Sequence, residues 1–376
     1  TPDVSRIAMQ VICWKSLEEA SAYAEAWDAL CAGQPMRCWA WCSTWWRHYG
    51  QTRSDRRLYV LAVLDQRNTL VGLAPWFCER KAGQGRMVRF LGSGEVCSDY
   101  LGLLCAPGFT EPVVDALAEW LQGCGRSGGG QDRWDQLDLD AVAVHDQPTL
   151  GLIDALASAG CRVVLREGTR CWRLALPDSW EGYVARLSKS HRKQVRRAER
   201  EMFATGRAEL HTVQNCGELP LAMDMLVHLH QQRRTALGQP GCFASPRFRA
   251  FHREVVRALL PLGHLHLHWL SIDGVPAAAE YHLAGRDVIY AYQAGIAPAA
   301  LEHEPGRLIT LATLRRAMEQ GVRQFDFLRG DEPYKAHWRA QPVPMLRVRV
   351  AADRLAARVR LGLWRAALQV KHWSGR

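Results

Sequence analysis

The chain has 376 residues, 48% hydrophobic and 23% charged, which is globular composition and enough length for two domains of ordinary size. It contains no apolar run of the roughly eighteen residues that a transmembrane helix needs, and residues 1–6 lack the basic-then-apolar order of a secretory signal. A formal net charge of +10 points to anionic partners: a nucleotide cofactor, RNA or an acidic membrane surface.

Residues 16–31 read as a helix, from Leu17, Ala20, Ala24, Trp27 and Leu30 near helical spacing, and 39–49 as a second, Trp-rich one. A hairpin follows, with apolar strands at 58–64 and 69–77 around the turn 65–68. Further strands are expected at 89–91, 100–104, 134–139, 161–165 and 171–176. Helices are expected at 112–121 and 150–159, with Gly160 as the stop of the second. A glycine-rich loop covers 123–130. The Gly/Ser loop 92–99 could hold a phosphate, but small loops of this kind are more often simple turns.

Pro177 and Asp178 end the first sheet. Residues 179–202 read as one helix, with Tyr183, Leu187, Val195, Ala198 and Met202 on its apolar stripe. Its other face carries Lys189, Arg192, Lys193, Arg196, Arg197 and Arg200. Such a density of like charge is costly unless it is solvated or matched by an anion. The helix is therefore a solvated basic face, or a site for a phosphate-rich ligand, RNA or an anionic membrane. DNA is not among the expected partners.

Strands are then expected at 207–213, 264–272, 275–283 and 288–294, with helices at 219–237 and 246–259. Asp273-Gly274 is a tight hairpin signal inside the meander. A helix over 308–320, stopped by Gly321, leads to a strand over 324–328. His264, His266 and His268 share one strand face. With no flanking carboxylate or cysteine they read as a polar sheet face, so no metal site is expected. The twelve cysteines are scattered; Cys38 and Cys42 come nearest to a pair, and the usage fits reduced thiols in a cytoplasmic protein. The fifteen tryptophans are assigned mainly to core and interface positions.

The two halves echo each other. Residues 61–65 with 70–75 parallel 269–273 with 275–280, and Asp-containing strands follow in both, Leu137-Asp138-Leu139 and Phe325-Asp326-Phe327. About 200 residues separate the copies, which is a domain duplication and not a solenoid of short repeats. The expected organisation is residues 1–176, residues 177–350 with the basic helix, and a basic amphipathic helix over 351–376. That last helix could lie on an anionic membrane or pack on the second domain.

The densest constellation follows the strand at 324–328. Gly330 breaks the run and Pro333 prevents a return to regular pairing. Around them stand Arg329, Asp331, Glu332, Tyr334, Lys335 and Trp338, a set suited to a pocket at a strand end and otherwise to a surface ion-pair cluster. The run from Phe325 to Lys335, followed by Trp338, closely resembles the terminal motif of a branch of the GNAT superfamily. That branch is the acetyltransferases associated with cellulose and exopolysaccharide biosynthesis (the CelD/BcsL type), relatives of the Fem-type aminoacyltransferases. Residues 187–198 resemble the corresponding helix of both families.

The resemblance implies tandem GNAT-like α/β domains with mixed sheets, and acyl transfer with acyl-CoA (acetyl-CoA) as a co-substrate and no permanently bound cofactor. It implies an amine or hydroxyl acceptor on a small molecule, saccharide or envelope precursor. It also leaves open a tRNA donor on the basic helix at 189–200, as in Fem relatives, and a non-catalytic scaffold that keeps the fold. The location implied is cytoplasmic or peripheral at the inner face of the membrane.

Acyl transfer needs donors for the pyrophosphate, a donor for the developing oxyanion and a base for the nucleophile. Gly306, Arg307 and Leu308, at the start of a helix, are assigned to the phosphates, although the usual glycine-rich GNAT loop is absent. Glu280, set among alanines on a central strand, is the expected base, with Asp331 as runner-up and His282 able to substitute. Tyr292 is the expected proton donor; Tyr290 is read as core. Arg329, Glu332, Tyr334, Lys335 and Trp338 are the expected substrate contacts. Catalysis is assigned to the second copy, because the first lacks a charged aromatic terminal motif.

Overall fold

The computed structural model describes residues 9–126 and 130–374, the stretch 368–374 by backbone alone. The chain is mixed α/β and divides into two compact units. One comprises Thr1–Ala32, Met36–Thr169 and Pro344–Arg376; the other comprises Gly33–Pro35 and Arg170–Val343.

In the first unit, two sheets share one bent path of chain. Leu70–Ala74 pairs with Val60–Leu64 in a four-stranded sheet, and Trp76–Lys81 continues into a six-stranded one. Pro75 sits at the bend, where its missing N–H breaks the ladder. Helix Thr110–Arg126 lies on the first sheet through Val113, Leu117 and Leu121, all fully buried. A Cβ at Gly72 would stand 2.4 Å from Val113, so only glycine allows that approach. Asp146 caps the helix Gln147–Ser158 by accepting from the Thr149 N–H at 3.2 Å.

The second unit is built on a seven-stranded sheet. Its order is Ala208–Thr212, Leu265–Ile272, Val275–Ala284, Val288–Ile296, Gln324–Arg329, Cys171–Ala175 and Gln341–Val343. The four helices that matter for the site are Lys189–Ala198, Leu219–Ala236, Pro305–Glu319 and the short Pro333–His337.

The duplication is visible in the connectivity of each unit. In the first, Gly85–Phe90 pairs in parallel with Gln136–Ala143, which pairs antiparallel with Met345–Ala351. In the second, Val288–Ile296 pairs in parallel with Gln324–Arg329, which pairs antiparallel with Cys171–Ala175. Each central strand carries a buried aspartate facing an arginine in register: Asp138 opposite Arg349, and Asp326 opposite Arg173. Asp138 pairs with Arg347 and Arg349, each at 3.0 Å, and with Arg89 at 3.9 Å. Burial pushes its carboxyl up, but hydrogen bonds from Arg347 and the charges of Arg347 and Arg349 outweigh burial and hold it at about 2.

This connectivity moves two strands relative to the sequence reading. Residues 171–175, expected to close the first half, pair in the sheet of the second unit. Residues 345–350, assigned to the second domain without an element of their own, form with Ala351 of the expected final helix a strand that pairs between those at 136–143 and 162–167 of the first. Each unit thus borrows a strand from beyond its own half. Pairing partners of strands so far apart in sequence leave no local mark, whereas hydrophobic alternation does.

Other segments are shorter than expected. Residues 179–202 divide into Trp180–Arg186, Lys189–Ala198 and a wide turn at Glu199–Phe203. The break falls at Leu187-Ser188, both extended, with the Ser188 hydroxyl accepting from the His191 N–H. Helix Pro305–Glu319 begins three positions before the expected start at 308, with Pro305 in its first turn. Helix Thr110–Arg126 runs into the expected glycine loop, whose residues 127–129 lie outside the described residues.

The final helix, Leu355–Ser374, buries Ala357 and Leu361. Trp364 lies 3.8 Å from the guanidinium of Arg349. Leu355, Val359 and Leu363, spaced four apart, remain exposed. In the amphipathic reading of this helix Leu368 and Trp373 continue the apolar surface and Lys371 the charge; their side chains lie outside the described residues. Among the described residues, no helix is long and apolar enough to cross a membrane.

Candidate active site

The sheet of the second unit opens at one place. Val288–Ile296 and Gln324–Arg329 are parallel, yet they pair only from Val288 to Tyr290 with Gln324 to Asp326. Beyond that point Val288–Ile296 pairs only with the Glu280 strand, Val275–Ala284. The other strand ends in a sharp turn. Leu328 takes φ 55°, a left-handed conformation costly for a branched side chain, and Gly330 takes φ 111°.

The residues of the terminal motif hold that turn. Asp326 is fully buried, accepts from Arg173 Nε at 2.7 Å and from the Leu328 N–H at 2.8 Å. Lys335 is 2% exposed, and its ammonium donates to the carbonyls of Leu328, Arg329 and Gly330 at 3.2, 2.8 and 3.0 Å. Glu332 approaches the same ammonium at 2.8 Å. A Cβ on Gly330 would fall 2.5 Å from Glu332 Oε2, so glycine is what lets that carboxylate fold over the turn. The motif is first a turn-building device.

Next to the opened sheet lies a pocket of about 750 Å³, within the size range of small-molecule sites. Its floor is Ala279 and Glu280 with Ala294, Gly295 and Ile296. Helix Pro305–Glu319 adds Gly306, Arg307 and Thr310, and helix Leu219–Ala236 adds His230, Arg233 and Arg234. His191 and Gln194 enter from the basic helix, and Glu332, Tyr334, His337 and Trp338 from the segment after the turn.

Glu280 is 7% exposed and held from three sides. Thr310 donates to its Oε1 at 2.9 Å and Thr313 to its Oε2 at 3.1 Å. His282 Nε2 stands 2.9 Å from Oε2, within contact distance but off the hydrogen-bond direction. The antiparallel register sets His268 opposite Glu280 and His266 opposite His282. The rings of His268 and His282 lie 5.3 Å apart. Burial, with the neighbouring His282, depresses His266 to about 4 and His268 further, so both stay neutral at ordinary pH. Among the described residues no group of three His, Cys, Asp or Glu is arranged to hold a metal ion.

Tyr334 faces the pocket with partial burial and the carboxylates of Glu332 and Glu280 raising its phenol above the ordinary value. It keeps its proton and can donate it. Burial and the charge on His337 lower His191, whose ring lies 5.2 Å from that of His337.

The structure thus brings Glu280, Gly306, Arg307, Glu332, Tyr334 and Trp338 around one pocket. It does not bring the others there. Tyr292 bonds His252 Nε2 at 3.2 Å and packs on Tyr281, against helix Pro246–Leu259. Asp331 accepts from Trp172 Nε1 at 3.1 Å. Lys335 has its donors taken up by the turn, and the Arg329 carbonyl is one of the acceptors. The Leu308 side chain is buried in the core, because the helix starts earlier than its sequence suggests. Gly306 has a packing role as well: an added Cβ would meet Ile296 Cδ1 at 2.7 Å.

Sequence reasoning passed over His191, Gln194, His230, Arg233, Arg234, Thr310, Thr313 and His337. Thr310 and Thr313, three apart on an otherwise apolar helix, were a usable sign. Arg233 and Arg234, at a helix C-terminus, look only like complements to the helix dipole.

Residues 189–336 match the acetyltransferase (GNAT) domain family. No curated protein matches the chain. Among solved structures, FemX is similar at TM-score 0.61 and 10% identity, covering 90% of this chain and 96% of that one. A conserved protein from Bacteroides thetaiotaomicron is similar at TM-score 0.55 and 10% identity, covering 91% and 100%. L-PGS from Bacillus licheniformis is similar at TM-score 0.51 and 10% identity, covering 94% and 96%. At such identities the likeness concerns the fold, and the fold is shared along nearly the whole chain. Most of the pocket and of the turn beside it lies within residues 189–336, the stretch that matches this family.

Proposed function

We propose that the second unit transfers an acyl group from acyl-CoA to an amine or hydroxyl, on a saccharide or other precursor of exopolysaccharide or envelope. The observation that carries this reading is a buried carboxylate, Glu280, on the floor of a 750 Å³ pocket where a sheet strand loses its neighbour. Unpaired backbone at such an opening can hydrogen-bond an extended thioester arm. Arg233 and Arg234, with Arg307 paired to Glu304 beside them, give the pocket wall the cationic groups that a phosphorylated donor needs.

In this reading Glu280 takes the proton of the attacking amine or hydroxyl, and Tyr334 returns one to the leaving thiolate. Thr310 and Thr313 keep the carboxylate pointed at the pocket. Catalysis by Asp331 or Tyr292 is not part of the proposal, because neither reaches the pocket wall.

A tRNA donor is the second reading, motivated by the basic helix and the likeness to FemX. Its charges are largely engaged: Arg196 pairs with Glu199 at 3.0 Å, Arg197 with Glu201 at 2.7 Å and Arg200 with Glu201 at 3.0 Å. Arg192 donates to the carbonyls of Ala185 and Leu187. Three of the arginines thus share two carboxylates, which lowers the net charge of that face below what the sequence implies and favours acyl-CoA. Calorimetry with acetyl-CoA on ribonuclease-treated protein is expected to give saturable one-to-one binding. Binding of aminoacyl-tRNA alone, weakening steeply with salt by counterion release, would replace this reading with the second.

A further inference from the structure

Beside the pocket, a second set of reactive side chains stands in order. Gln231 Nε2 donates to the Pro240 carbonyl at 2.9 Å, which fixes the orientation of that amide. Gln231 Oε1 then faces His230 Nδ1 at 3.1 Å and accepts its proton-bearing N–H. This leaves the lone pair of His230 on Nε2, and Nε2 lies 3.5 Å from Cys242 Sγ. His230 is 2% exposed, and burial lowers its basicity enough to keep it neutral. The order thiol, imidazole, amide is that of a nucleophile, its base and the group that orients the base.

Two glycines make this approach possible. Gly241 takes φ 70°, and a Cβ there would stand 2.3 Å from Gln231 Oε1. A Cβ on Gly295 would stand 2.5 Å from the backbone nitrogen of His230. The loop and the strand therefore both close on the helix at this point. Cys242 is half-buried, and its sulfur also lies 3.5 Å from Gln293 Oε1. A rotation of that amide presents an N–H to a thiolate. His230 belongs to the pocket wall as well, so the thiol adjoins the place proposed for the donor.

We propose that Cys242 is an activated thiol that accepts an acyl group from a thioester, with His230 as base and Gln231 as positioning residue; this rests on the reading of the unit as an acyltransferase. The thiol gives its proton to His230 Nε2, and sulfur attacks the thioester carbonyl carbon. The tetrahedral adduct collapses with cleavage of the donor C–S bond, and the departing thiolate takes the proton from His230. One thioester is exchanged for another, so no further reactant is needed. An amine can then attack the acyl-cysteine, with Cys242 leaving.

The test uses the full chain with S-acetyl-N-acetylcysteamine, a small thioester that does not require a nucleotide site, and in parallel with acetyl-CoA. Peptide mass spectrometry is expected to find one acetyl group on Cys242, removed by neutral hydroxylamine. The exposed Cys216 should be labelled at least about tenfold more slowly. His230→Gln and Gln231→Leu should each slow labelling by about tenfold or more, and Gln231→Glu, which keeps an acceptor oxygen, should restore it. Labelling by the small thioester but not by acetyl-CoA supports the activated thiol and removes acyl-CoA as its donor. Labelling of Cys242 no faster than Cys216 by either reagent overturns the inference, and leaves direct transfer assisted by Glu280 standing.

Discussion

Glu280→Gln is expected to lower kcat by about a hundred- to ten-thousandfold, the usual worth of a positioned general base, and to leave acetyl-CoA affinity within about twofold. Glutamine has the same shape and keeps one carbonyl oxygen for Thr310 or Thr313. Either threonine can rotate its hydroxyl to accept from the new amide, so the network survives with its donor directions changed. What is lost is the capacity to take a proton. Donor affinity is carried by other parts of the wall, Arg233, Arg234 and Arg307, which do not touch this carboxylate in the described contacts. Steady-state kinetics paired with calorimetry separate the two quantities. Unchanged turnover would mean that the carboxylate serves only to anchor Thr310 and Thr313.

Lys335→Met is expected to destabilise the second unit by roughly 2–4 kcal/mol, because three carbonyls lose their donor and at least one of them is fully enclosed. Methionine retains most of the volume, so the cost comes from polar groups left without partners. The turn also holds Leu328 in a left-handed conformation, which unpinned backbone will not keep. Donor binding should weaken together with the denaturation midpoint, since Tyr334 and Trp338 are positioned by this turn. If Lys335 instead contacted a bound anion, binding would weaken while the midpoint stayed at its wild-type value. Denaturant titration of the variant followed by calorimetry distinguishes these outcomes.

The sequence points to the segment after the strand at 324–328, and the structure gives several of its residues a task in building the turn. Charges beside aromatics after the strand at 324–328 look like ligand contacts, yet Lys335 spends its hydrogen bonds on the backbone of the turn and Asp331 accepts from Trp172. A buried lysine is indistinguishable from an exposed one until its neighbours are known. Glu280 could be singled out because a carboxylate among alanines on a central strand has few other uses. Tyr292 could not be placed, because the ladder of Val275–Ala284 with Val288–Ile296 has a bulge between Tyr281 and His282 that disturbs the alternation of faces. The duplication was legible from paired hairpins and Asp-bearing strands. The displaced strands at 171–175 and 345–351 were not, since strand order is set by packing between distant segments and not by local pattern. The Cys242, His230 and Gln231 arrangement depends on a loop folding back through Gly241, and spacing alone gives it no signature.

If one pocket in the second unit takes the acyl donor, hydrogen exchange of the full chain should respond to saturating acetyl-CoA in that unit alone. Exchange is expected to slow in three segments, 230–237, 306–313 and 334–338, with the loop at 92–99 in the first unit unchanged. Protection confined to 92–99, or no protection anywhere at saturation, would contradict it.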